Sequence, residues 1–149
     1  MKKYELTEET FTVFGKTLYR IRAVRDFGSV KTGEFGGYIE KEENLSHFGD
    51  AWVYGNAKVY GDARVYGNAE VFNTRHFFVQ GPIGSRDGYV TFYRTKDDTI
   101  GVRCGCFSGS LQKFVDRVVE THGGSRYEKE YKLAAELAKV CIRLEGESR

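Results

Sequence analysis

Gly49-Asp50-Ala51-Trp52-Val53-Tyr54, Gly55-Asn56-Ala57-Lys58-Val59-Tyr60, Gly61-Asp62-Ala63-Arg64-Val65-Tyr66 and Gly67-Asn68-Ala69-Glu70-Val71-Phe72 follow one another as four six-residue units. A period of six, with Gly-Asn/Asp at a bend, Ala next and Val two residues later, predicts a short left-handed parallel β-helix, each unit giving one strand and one bend. Residues two apart on a strand share a side, so Ala57 with Val59, Ala63 with Val65 and Ala69 with Val71 are expected to point inward. Trp52, Tyr54, Tyr60, Tyr66 and Phe72 fall between them, as an apolar outer ladder that should pack against another subunit. Four units make little more than one turn of such a solenoid, which leaves unpaired backbone at both ends. It has to be capped, extended or oligomerised.

Upstream of the repeat, steps of six from Ala51 reach Leu45 and Ile39, so residues 36–44 read as a degenerate coil, with a simple loop at Gly36-Gly37 as the alternative. Alternating apolar residues from Thr10 to Val24 around Gly15-Lys16 predict a β-hairpin that caps the solenoid. The register breaks at Asn73-Thr74, which divides the chain into a hairpin cap with β-helix over 1–74 and an α+β module over 75–149. That module reads as β-β-β-α-α. Its strands are expected near 76–80, 89–94 and 100–107, and Ser108 or Ser110 caps a helix over 111–121. Gly123-Gly124 ends that helix and a second follows over 127–144.

Twenty-three basic and 21 acidic residues leave a net charge of +2, and residues 75–149 carry 13 basic and 10 acidic side chains, so no stripe suited to DNA or RNA is expected. The first residues lack the apolar run of a signal peptide, and no stretch approaches the roughly 20 apolar residues that span a bilayer. Three cysteines make no disulfide framework. A cytoplasmic setting is expected.

Gly81-Pro82-Ile83-Gly84-Ser85-Arg86 is a Gly-containing turn whose N–H groups and Ser85 hydroxyl could cradle an anion. With Arg86, Thr91, Tyr93, Arg94, Lys96 and Arg103 on the strands nearby, it forms the candidate ligand site. Arginine and lysine would take phosphate there, and tyrosine or phenylalanine a base. The alternative is a solvated sheet face with a structural turn. Cys104, Cys106, His76 and His122 could supply four zinc ligands, but knuckle spacing is absent; a Cys-x-Cys on a strand reads better as two small buried residues under the helices. A cysteine nucleophile with His76 or His122 as base has no oxyanion-hole motif beside it. No catalytic residue and no cofactor is assigned.

The tract Tyr19-Arg20-Ile21-Arg22-Ala23-Val24-Arg25-Asp26-Phe27, Val30-Lys31-Thr32-Gly33, Gly36-Gly37-Tyr38-Ile39 and the repeats resembles bacterial and phage proteins built on a left-handed β-helix, some described as hexapeptide-repeat transferases. The resemblance spans residues 15–73. The segments 81–86, 91–96, 104–109 and 121–123 are similar to a small phage module with no established activity. Together these resemblances imply a phage-type protein. The transferase fold would imply a histidine base between subunits, and only His47 lies near the repeat. The expected function is a non-enzymatic, oligomeric binder that sequesters a small anionic ligand, such as a nucleotide immune signal of a bacterial host. The alternatives are a structural or protein-interaction module and, third, a hexapeptide-type acyltransferase.

Overall fold

The computed structural model describes residues 2–145. The chain opens with an antiparallel hairpin, Tyr4–Val13 (β1) and Lys16–Ala23 (β2), turned at Phe14-Gly15, both with positive φ. Phe35–Ile39 (β3) pairs antiparallel with β2. A 3-10 turn at Glu42–Asn44 leads into the repeat, where Trp52–Val53 (β4), Lys58–Val59 (β5) and Glu70–Val71 (β6) are the only regular strands among the described residues. A second 3-10 turn at Thr74–His76 follows, then an antiparallel sheet of Phe77–Ile83 (β7), Gly88–Arg94 (β8), Ile100–Cys104 (β9) and Phe107–Ser110 (β10), in the order β10-β9-β8-β7. Helices Leu111–His122 (α1) and Arg126–Cys141 (α2) complete the fold.

The expected left-handed parallel β-helix is not formed. Most pairing is antiparallel, and the parallel contacts of the repeat amount to β3 with β5, β4 with β6 and the single bridge Leu45 to Val65. The reason lies in the edges. A stack this short cannot cover its own unpaired backbone, so other parts of the chain take it. One side is closed by the β1-β2-β3 meander, where Tyr38 N donates to Ala57 O (2.9 Å) and Glu40 N to Val59 O (3.2 Å). The other is closed by the C-terminal sheet, where Ala69 bridges Thr95 and Lys96 N donates to Asn68 O (2.9 Å). Gly36 and Gly37 belong to β3, and both press so closely on the carbonyls of Val53 and Ala57 that a Cβ would overlap them. Only glycine permits that approach.

Ala51, Ala57, Ala63 and Ala69 are buried with Val53, Val59, Val65 and Val71 in one core, which Tyr4, Ile21, Phe27 and Tyr93 complete. The outer aromatic ladder is not continuous. Trp52 lies inside, wedged edge-on against Phe27 (5.1 Å) and Tyr4 (6.2 Å), because the hairpin and the connecting loop cover that flank. Tyr54 stacks on Phe72 (4.4 Å), while Tyr66 lies beneath the guanidinium of Arg103 (4.2 Å) and Tyr60 is half-buried.

The C-terminal sheet is the middle of three layers. Val90, Phe92, Ile100 and Val102 face Phe114 and Val118 of α1 and Ala134, Ala135 and Ala138 of α2, while Thr91 and Tyr93 face the repeat. α1 starts where Ser110 accepts from Lys113 N (3.2 Å), a cap that satisfies an otherwise orphaned donor. The expected third strand over 100–107 is two strands. Gly105, with φ +57°, and Cys106 form a two-residue turn between β9 and β10. No helix among the described residues is long and apolar enough to cross a membrane.

Lys3 is fully buried and ties the N-terminal strand to the repeat, its ammonium donating to Ala51 O (2.6 Å) and Gly49 O (3.4 Å). Burial, aided by the Arg25 charge and opposed by Asp50, pulls its pKa from 10.5 down to about 8. Between those values the unfolded chain holds a proton that the folded chain has released. Stability therefore rises with pH across this window, and below it the cost of burying the ammonium is fully present. Urea midpoints at pH 7.5 and 9.5 are expected to show an increase that Lys3→Met removes, on the order of 2–3 kcal/mol over the full window.

Candidate functional site

The turns β7–β8 and β9–β10 lie at one end of the C-terminal sheet, and the β8–β9 turn lies at the other. At the two-turn end a cleft of about 580 Å³ runs round the end of the sheet, lined by both turns, by α1 on the helix side and by the repeat on the other. Each wall has a distinct origin. The β7–β8 turn is seated by its backbone: Gly84 N donates to Glu130 Oε1 (2.7 Å), and Asp87 N to Gly84 O (3.3 Å). Gly84 has φ +80°, and any Cβ there would collide with the Tyr131 hydroxyl, so the turn can rest on α2 only through glycine. Ser85 and Arg86 thereby project at the rim, both exposed.

β9 contributes Arg103 and Cys104, and its turn contributes the exposed Cys106. Burial pushes the Cys104 thiol up, and the thiol shares a hydrogen bond with Tyr131, whose own hydroxyl burial also raises. α1 buries Phe114 and Val118 against the sheet, which turns Arg117, Thr121 and His122 toward the cleft. The Arg117 guanidinium sits 5.6 Å from the Phe107 ring, and the His122 ring 5.6 Å from that of Tyr131. The repeat supplies Asp62 and Arg64, with Arg64 N fixed by donation to Thr91 Oγ1 (2.8 Å). Ile83, Val90, Phe107 and Phe114 give the cleft an apolar floor, and Tyr89 is 43% exposed at its edge.

Charge is concentrated here. Arg64, Arg86, Arg103 and Arg117 line one cleft together with Asp62, in a chain of net charge +2. Among the described residues none of the four forms an ion pair. Arginines elsewhere that face acids are paired: Arg20 with Glu9, Arg22 with Glu5, and Arg94 with Asp98 and Glu70. Planar guanidinium forks left without carboxylates around an apolar floor are suited to phosphate.

Of the ligand residues expected from the sequence, Ser85, Arg86 and Arg103 meet in this cleft. Thr91 is buried behind its wall, holding Arg64. Tyr93 is buried against Gly101 and lines a separate polar cleft of about 470 Å³ with Asn68, Thr95, Asp97 and Ser110. Arg94 is buried between the repeat and the end of α2, where Asp98 (3.0 Å), Glu70 (3.6 Å) and Glu145 (3.8 Å) hold it. Lys96 is exposed on the far turn.

Arg64, Tyr89, Phe107, Arg117 and Tyr131 were not legible as site residues, and His122 was legible only as a possible zinc ligand or base. Arg117, beside the apolar Phe114-Val118 stripe, is the one whose helical spacing carried a usable signal.

Cys104 ends β9 and Cys106 lies exposed in the turn after it, so the two do not share a strand face and are not the pair of small buried residues expected under the helices. His76, buried, accepts at Nδ1 from Phe72 N (2.9 Å), apart from this cleft. No group of three or more His, Cys, Asp or Glu among the described residues is placed to hold a metal ion. His47, the histidine nearest the repeat, has both ring nitrogens engaged: Nδ1 accepts from Lys3 N (3.0 Å) and Nε2 meets Glu42 Oε1 (2.8 Å).

Comparison with protein-family models and with curated proteins finds no match for this sequence. The resemblance to left-handed β-helix proteins and the hexapeptide-repeat description of residues 49–72 therefore fail on both fold and sequence.

Proposed function

We propose that the protein is a non-catalytic binder of a small phosphate-bearing ligand, held in the cleft of Arg64, Arg86, Arg103 and Arg117. The observation that carries this is that four arginines lining one cleft form no ion pair among the described residues. Gathering like charges destabilises a fold, by roughly 1 kcal/mol per close pair at effective dielectric constants near water. Such an arrangement is kept where a bound anion offsets it. A cleft of this size fits a nucleotide-sized molecule. Holding the ligand without turnover acts by sequestration, and a signalling nucleotide is a ligand for which sequestration alone has an effect.

Isothermal titration against a panel of cyclic and ADP-ribose-type nucleotides tests this reading. Saturable heat is expected with at least one member, weakened about tenfold by Arg86→Ala and unchanged by Lys96→Ala on the far turn. No heat with any member removes the proposal.

A second reading is association through α2, favoured by Leu133 (70% exposed), Leu137 (45%) and Val140 (71%) at i, i+4 and i+7 on one helix face. Light scattering on the eluting protein is expected to give an oligomer that Leu133→Lys dissociates. A monomeric mass overturns this second reading and leaves the cleft untouched.

A further inference from the structure

We propose that the ligand is a nucleotide carrying at least two linked phosphates, with its base on Tyr89 and its phosphates shared among the four arginines. This rests on the phosphate-binding reading of the same cleft. Four arginines line the cleft against Asp62, with Asp87 beside Arg86 in the turn, so positive charge is in excess. A phosphomonoester brings about two negative charges at neutral pH, whereas a nucleoside diphosphate brings about three. The larger charge engages more of the four guanidiniums.

The placement of the arginines points the same way. Arg64 comes from the repeat, Arg86 from the β7–β8 turn, Arg103 from β9 and Arg117 from α1, so they approach from separate walls. Each guanidinium binds best as a two-pronged fork, and the three free oxygens of a single phosphate serve about two such forks. Two phosphates in sequence give each wall its own acceptor.

Tyr89 supplies the remaining part. It is the cleft aromatic most exposed to solvent, at 43%, although it lies on a strand whose next five residues are all buried. Its ring lies against Gly81, where any Cβ would collide with ring atoms. An exposed aromatic beside arginines is the arrangement on which a base stacks. Phe107 is less available, since Arg117 already sits against its ring and Phe114 packs beside it (5.8 Å).

The test is titration calorimetry at constant ionic strength with inorganic phosphate, inorganic pyrophosphate, and the mono- and diphosphates of adenosine, guanosine, cytidine and uridine. The tightest diphosphate is expected to bind at least about tenfold better than its own monophosphate, and pyrophosphate better than phosphate. Tyr89→Ala is expected to weaken that diphosphate by about tenfold while leaving pyrophosphate unchanged, and Tyr89→Phe to retain both. A monophosphate equal to its diphosphate, or an equal effect of Tyr89→Ala on pyrophosphate and nucleotide, overturns this inference and leaves the phosphate cleft standing. Failure of every probe, phosphate and pyrophosphate included, ends both.

Discussion

Trp52→Ala is expected to lower the free energy of unfolding by about 3–5 kcal/mol, read as a fall in the urea midpoint with unchanged slope. The side chain is 1% exposed and is the largest of the fully buried ones. It touches three segments that are far apart in sequence: Tyr4 on β1, Phe27 in the connecting loop, and Gly36 on β3, where the indole occupies space a Cβ would need. Truncation leaves a cavity that rigid backbone on several sides cannot close. Trp52→Phe keeps a ring against Phe27 and is expected to lose much less. A loss under about 1 kcal/mol, as for an outward-facing residue, would contradict the buried placement.

Arg86→Ala combined with Arg117→Ala is expected to weaken binding about a hundredfold, with stability unchanged within about 0.5 kcal/mol. Both side chains are exposed and neither forms an ion pair among the described residues, so their removal costs the fold little. Arg94→Ala is expected to behave in the opposite way. Removing a guanidinium that is 4% exposed takes the opposite charge from beside Asp98 and Glu70, which weakens folding without touching the cleft.

The C-terminal half was largely readable because its signals are local. Alternation of Val90 and Phe92 with Thr91 and Tyr93 marks a strand, the Ser110 cap starts α1, and apolar residues at helical spacing place both helices. The turn at Gly105-Cys106 was hidden because Val102, Cys104 and Cys106 keep the alternation of one continuous strand. Within the repeat, inward Ala and Val followed from the pleat, and all are buried.

What the period of six could not reveal is what lies against each flank. That depends on the meander and the second sheet folding back, so Trp52 was read as outward and a solenoid was expected where closure by other segments occurs. The cleft was half legible for the same reason. Ser85, Arg86 and Arg103 sit on neighbouring strands and turns, whereas Arg64 and Arg117 arrive from separate layers that only the tertiary fold brings together.

Alkylation of Cys106 tests the occupied cleft most directly. Cys106 is exposed on the lip of the cleft, while Cys141, half-buried on α2, does not line it and serves as the internal reference. The rate of N-ethylmaleimide addition at each cysteine, followed by peptide mass spectrometry, is expected to fall at Cys106 alone when the tightest nucleoside diphosphate is added. In Arg86→Ala/Arg117→Ala the same addition is expected to change nothing. Unaltered alkylation of Cys106 in the wild-type protein at saturating nucleotide would contradict the assignment of this cleft as the binding site.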